Sequence, residues 1–111
     1  MAKAKKKTPD EILLEDILNE LDITFNDDAA KKKTWEHMQQ GKARLEELKG
    51  GTIDFAKEQT ARTILFSFCR YGRSNAIEQF EHDFSSQLNS FALNAAVANM
   101  PESGAADESE V

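Results

Sequence analysis

The sequence has one cysteine, two prolines and a single tryptophan and tyrosine, and no apolar run approaches the ~18 residues that a membrane-crossing helix needs. Each scarcity excludes something. Cys69 has no partner for a disulfide, and it sits on an apolar helical stripe, so it reads as a small buried hydrophobe in a reducing, intracellular folding compartment. The basic start Met1-Ala2-Lys3-Ala4-Lys5-Lys6-Lys7 lacks the hydrophobic segment of a secretory signal. Of the prolines, Pro9 falls where a helix tolerates one and Pro101 ends any helix that reaches it.

Chemistry-bearing motifs are equally scarce. His37 and His82 are the two histidines, and neither begins a metal-ligand spacing with a second histidine or cysteine, so no metal and no cofactor is expected. In Glu81-His82-Asp83, consecutive residues of a helix point in different directions and do not converge on one substrate atom. Gly50-Gly51 is not followed by the residues of a phosphate-cradling loop. No catalytic residue stands out, and an enzyme is not expected.

What is present is helical periodicity and charge. With 111 residues, 40% of them hydrophobic, the chain suits one small domain with a modest core. Acids outnumber bases by 20 to 14, a balance that repels nucleic acid from the body of the protein. Positive charge gathers in Lys3, Lys5, Lys6 and Lys7, whereas Asp10 to Asp28 and the tail Glu102 to Glu110 are acidic. The expected organisation is a flexible basic arm over 1–8, a helical domain over 9–98 and a disordered acidic tail over 99–111.

The strongest signal runs from Ala61 to Ala98. Ala61, Ile64, Leu65, Phe68, Cys69 and Gly72 recur at three- and four-residue steps, and Ile77, Phe80, Phe84, Leu88, Phe91 and Ala95 form a second stripe. Between them, Gly72-Arg73-Ser74-Asn75 predicts a kink or tight turn, with Gly72 weakening the helix and Asn75 capping the next; one uninterrupted helix is the competing reading.

Upstream, Thr8-Pro9-Asp10-Glu11 is a capping-box start for a helix to about Leu21, with a stripe of Leu13, Leu14, Ile17, Leu18 and Leu21. Asp22-Ile23-Thr24-Phe25 reads as an extended link whose Ile23 and Phe25 point into the core. Asn26 is expected to cap a second helix carrying Trp35, Met38, Ala43, Leu45 and Leu48, stopped by Gly50-Gly51. Gly41 suits either a close helix crossing or a merely tolerated glycine. Ile53 and Phe55 read as core plugs from the next link, with Asp54 as a cap. The fold class is therefore all-α, a small bundle of about four helices, with Leu14, Ile17, Leu21, Ile64, Leu65, Phe68, Ile77, Phe80, Phe84 and Leu88 as core.

Two places admit a functional reading. Arg70-Tyr71-Gly72-Arg73 ends a helix, where its charges either stabilise the helix end or anchor a neighbouring subunit. Trp35 is likewise core or interface.

Leu21-Asp22-Ile23-Thr24 after a short helix, the Gly50 to Phe55 link, Ala61-Arg62-Thr63-Ile64-Leu65-Phe66 to Cys69-Arg70-Tyr71, and Asn75-Ala76-Ile77-Glu78-Gln79-Phe80-Glu81 to Phe84, with Ser86, Leu88 and Leu93, follow one another in a familiar order. Over Asp16 to Leu93 the chain resembles the head-to-tail connector, or adaptor, proteins of tailed bacteriophages; it departs from them at Gly72 and in its lysine-rich start. The resemblance implies a structural virion protein of the neck, made in the host cytoplasm. It further implies a ring of roughly a dozen copies beneath the portal vertex, a platform for the stopper and tail proteins, and passage of DNA through the lumen without sequence-specific binding. No membrane partner is implied. The family's portal-engaging C-terminal segment corresponds to Asn94 to Val111, with Asn94, Val97, Met100 and Val111 as contacts, and Trp35, Arg70, Tyr71 and Arg73 are candidates for the interface between subunits or partners. The alternative is a small helical nucleic-acid-associated regulator using the Lys3 to Lys7 arm with Arg70 and Arg73.

Overall fold

A computed structural model describes residues 7–24 and 26–98. Among them the chain forms five α-helices and no strand: α1 (Pro9–Glu20), α2 (Asp28–Lys49), α3 (Gln59–Arg73), α4 (Ile77–Asp83) and α5 (Ser85–Ala98). The expected arm residues Lys3, Lys5 and Lys6, the core plug Phe25, and the tail with Met100 and Val111 lie outside the described residues.

The start of α1 follows from its sequence. The Thr8 hydroxyl accepts from the Glu11 amide at 3.1 Å while the Glu11 carboxylate accepts from the Thr8 amide at 2.8 Å, satisfying two orphan donors reciprocally. Its end is a Schellman turn. Asp22 adopts φ 58°, so the Asp22 amide reaches the Asn19 carbonyl and the Ile23 amide reaches the Leu18 carbonyl, and Ile23 is folded back into the core. The end of α3 repeats the device with Asn75 at φ 57°: its amide meets the Gly72 carbonyl and the Ala76 amide the Tyr71 carbonyl. Asn75 thus terminates α3 and does not cap α4, whose N-cap is Ala76 with no side-chain bond.

Gly72 is no breaker either, because α3 runs through it to Arg73. It is a packing residue: a Cβ there would lie 2.8 Å from the His37 ring of α2. Gly41 plays the same part from the other side, since a Cβ would sit 2.6 Å from Leu65 Cδ1 and 2.9 Å from Phe68 Cδ1. The two glycines let α2 and α3 cross closely, and this helix pair forms the centre of the molecule.

Two further caps differ from the sequence expectation. The side chain of Asp27, not Asn26, accepts the Ala30 amide at the start of α2, at 3.0 Å. Asp54 does not cap α3: its carbonyl accepts the Lys57 and Glu58 amides and its carboxylate the Ala56 amide, closing a separate turn. That turn delivers Ile53 and Phe55 to the core, while Gly50, at φ 81°, stops α2.

The second aromatic stripe is divided between two helices, giving five where about four were expected. Phe84 leaves helical geometry at φ −103° and ψ 13°, although its amide still reaches the Phe80 carbonyl and its carbonyl accepts the Leu88 amide. Ser85 and Ser86 follow at the start of α5, residue types that favour helix ends over interiors. At the bend, Phe84 stacks on Phe80 with ring centres 4.7 Å apart, and Phe80 is met edge-on by Phe68 at 5.2 Å and Tyr71 at 5.7 Å.

Ile17, Leu21, Ile64, Leu65, Phe68, Phe80 and Leu88 are buried in one cluster, together with Leu13, Leu18, Met38, Leu45 and Phe91. Leu14, Ile77 and Phe84, expected in the core, are half-buried and pack against its edge. Leu13 takes the inward position on α1, Ile77 opens α4, and Phe84 sits at the corner. On α2 the inward line is Thr34, Met38, Gly41 and Leu45, so Ala43 is turned out to solvent.

Ion pairs tie the surface together. Asp10 of α1 accepts Lys42 at 2.6 Å and Gln39 at 3.0 Å, Asp16 accepts Arg62 of α3 at 2.8 Å, and Glu81 of α4 holds Arg44 of α2 through two bonds of 3.0 and 3.1 Å. Burial opposes ionisation of Asp10, yet the bonds from Lys42 and Gln39 outweigh it and hold the carboxyl below the usual range. Such half-exposed pairs contribute about 0–1 kcal/mol each and mainly fix orientation.

Candidate interaction surface

Helix α5 packs on α2 and α4 and stands off from α3. An open groove of about 830 Å³ therefore runs between α3 and α5. Thr60, Thr63 and Ile64 form its α3 wall, Phe91, Asn94 and Ala95 its α5 wall. At the groove's margin the Lys49 ammonium lies 3.1 Å from the Glu58 carboxylate.

On the outward side of α5, beside this groove, two large apolar residues are uncovered. Leu93 is 64% exposed and Val97 59%, and as an i, i+4 pair they lie on one ridge. At about 100° per residue, Leu93 falls about 160° around the helix from buried Phe91. Leu88, Phe91 and Ala95 fill the inward line, so this ridge has no partner within the described fold. Among the described residues Ile12 of α1, 49% exposed, is the remaining large hydrophobic in this state. It stands on a helix that makes no extensive packing against α5.

The other candidate residues occupy different positions. Arg70 reaches Glu20 of α1 at 3.9 Å, and a guanidinium N–H of Arg73 donates to the Leu21 carbonyl, so both arginines clamp the end of α3 onto the end of α1. Tyr71 is half-buried: its ring meets Phe80 and Phe84, and its hydroxyl donates to Asp83 at 2.8 Å. That bond raises the Tyr71 phenol, while Gln79 first, then Tyr71 and His82, hold Asp83 below the usual carboxylate range. Trp35 is half-buried against the core cluster. Asn94 lines the groove while Val97 stands on the exposed ridge, so the structure separates these two expected docking residues.

Glu81, His82 and Asp83 diverge as their spacing requires: Glu81 turns to Arg44, Asp83 to Tyr71, and exposed His82 to Asp83, at 3.3 Å. Burial pushes the Cys69 thiol up to about 12, leaving it protonated and unreactive. Among the described residues no group of three or more His, Cys, Asp or Glu is placed to hold a metal ion, and no helix is long and apolar enough to cross a membrane.

Sequence reasoning did not single out the Leu93–Val97 ridge as a unit. The signal was there: both residues lie off the Leu88–Phe91–Ala95 line yet are large and apolar. Compared with known proteins, the chain matches no family model, no curated protein and no solved structure at a significant level.

Proposed function

We propose that the chain is a structural adaptor of a tailed-phage neck. Copies assemble as a ring beneath the portal, bridge the DNA-filled capsid to the stopper and tail proteins, and act through docking without a catalytic step. The observation that carries this reading is the unpartnered Leu93–Val97 ridge of α5 beside the α3/α5 groove, since paired exposed hydrophobics beside a concavity are a feature of protein-binding surfaces. Ile12, on a helix that makes no extensive packing against α5, supplies the second and different surface that a head-to-tail ring needs. Portal docking is assigned to Asn94 and Val97 together with the segment through Met100 and Val111. Trp35, Arg70, Tyr71 and Arg73 are assigned to contacts between subunits or partners, and the last three also hold α1, α3 and α4 together within the subunit. The acidic body lets DNA pass through a lumen without adhering to it.

Phage particles assembled without this protein test the reading. They should accumulate as packaged heads that fail to join tails and lose their genomes. Tailed, DNA-filled particles formed in its absence would overturn it.

A further inference from the structure

Six of the described cations of this acidic protein are held in ion pairs. Lys7 is bonded to Glu15, Lys42 to Asp10, Arg44 to Glu81, Arg62 to Asp16 and Arg70 to Glu20, and Lys49 to Glu58. Among the described residues Lys33 and Arg73, like Lys31, Lys32 and Lys57, make no ion pair, and the first two line one pocket together with His37 and Asn75. The pocket, of about 240 Å³, lies where α2, the turn after α1 and the end of α3 meet. Its floor is buried Ile23, Thr34 and Gly72.

The polar atoms presented there are donors for an anion. Lys33 offers an ammonium, His37 a ring N–H, Asn75 a carboxamide, and Arg73 the guanidinium hydrogens left over from its bond to the Leu21 carbonyl. No carboxylate lines the pocket. The carboxylate that acts on His37 is that of Glu36, which is outside the lining, and the Thr34 hydroxyl donates to the Ala30 carbonyl at 2.8 Å. Without a side chain, Gly72 lets the His37 ring lie on α3 at the edge of the pocket.

We propose that this pocket is an oxyanion site that takes a phosphate group. A tetrahedral anion fits the volume, the planar guanidinium and the ammonium supply charge-assisted bonds, and burial of the floor strengthens both. The site does not depend on the adaptor reading. A free phosphate and a phosphodiester of nucleic acid share this chemistry.

The test is a titration of the full-length, isotopically labelled chain with inorganic phosphate, followed through backbone amide resonances against sodium chloride at matched ionic strength. Saturable shifts at residues 33, 37, 73 and 75 that chloride does not produce are expected. Lys33→Gln, an exposed position that does not threaten the fold, should weaken binding at least about fivefold. Lys57→Gln, another lysine without an ion pair but away from the pocket, should leave it unchanged. Arg73→Lys, which keeps the charge and loses the fork, should give an intermediate loss. A linear response matching that of chloride, or equal affinity in Lys33→Gln and the parent, would overturn the proposal. A short duplex DNA distinguishes the sources. If it moves the same amides at lower concentration and phosphate competes with it, the ligand is a phosphodiester; if phosphate saturates and DNA leaves those amides unmoved, it is a free phosphate.

Discussion

Replacing Gly41 with alanine sets two effects against each other. In the interior of a helix alanine is favoured over glycine by about 1 kcal/mol, so at a solvent-facing position the change would stabilise. Here the added methyl would lie 2.6 Å from Leu65 Cδ1 and 2.9 Å from Phe68 Cδ1, where unbonded carbons settle at about 3.5–4.0 Å. Neither neighbour has room to retreat, because Leu65 is fully buried and Phe68 is packed edge-on against Phe80. Overpacking of this kind costs about 1–3 kcal/mol, and its upper half applies where two buried side chains must move at once. Net of the propensity gain, Gly41→Ala should destabilise by about 1–2 kcal/mol, a fall of roughly 4–10 °C in Tm. Urea unfolding followed by circular dichroism reads the difference directly. In a Leu65→Ala background the first clash disappears, so the same change should become neutral or stabilising, a coupling of about 1 kcal/mol or more. Stabilisation by Gly41→Ala in the parent would refute the close crossing of α2 and α3.

Phe80→Ala removes a ring only 1% exposed at the centre of the aromatic cluster and should cost about 3–5 kcal/mol in chemical denaturation, with a smaller loss for half-buried Phe84→Ala; equal losses would contradict the packing. Asp22→Gly, at φ 58°, should raise the urea midpoint by an amount equivalent to about 1 kcal/mol, because glycine adopts that conformation without the steric penalty of an L side chain. The pH dependence of stability follows from His37, whose imidazole is held below its ordinary 6.5 first by desolvation against α3 and then by Lys33. The folded state prefers it neutral, so stability is full above 6.5 and falls as pH drops through the interval beneath, a limb that His37→Gln should abolish in phosphate-free buffer. Asp10 adds a second loss only below its ordinary 3.8, where its bonds to Lys42 and Gln39 are protonated away.

Much of the helical layout is legible in the chain because it depends on short-range rules. The Thr8–Glu11 capping box, the Gly50 stop and the buried line of α3 are each readable from residues within a few turns of one another. The misplaced features depend on partners distant in sequence or on which of several adjacent polar residues takes a turn position. Gly72 looks like a breaker until His37 of α2 is set against it, and the left-handed turn falls to Asn75, whose short polar side chain tolerates that conformation. Asp54 and Asn26 have the chemistry of caps, but the neighbouring turns engage Asp54 elsewhere and place Asp27 at the helix start. The break at Phe84 has no glycine or proline to announce it. The Arg70 and Arg73 contacts with the end of α1 join positions about fifty residues apart, which periodicity alone does not register. The groove arises from which helix α5 leans on, and the stripe pattern of α5 fits α2 and α3 equally well.

The uncovered ridge of α5 is tested most directly by changing Leu93 and Val97 together to aspartate and imaging the purified protein with its portal by electron microscopy. Both residues are exposed, so the variant should keep the helicity and urea midpoint of the parent. The parent should form rings seated on the portal, and the variant should leave the portal bare. A variant that folds and still occupies the portal as the parent does would contradict the assignment of this face as the docking surface.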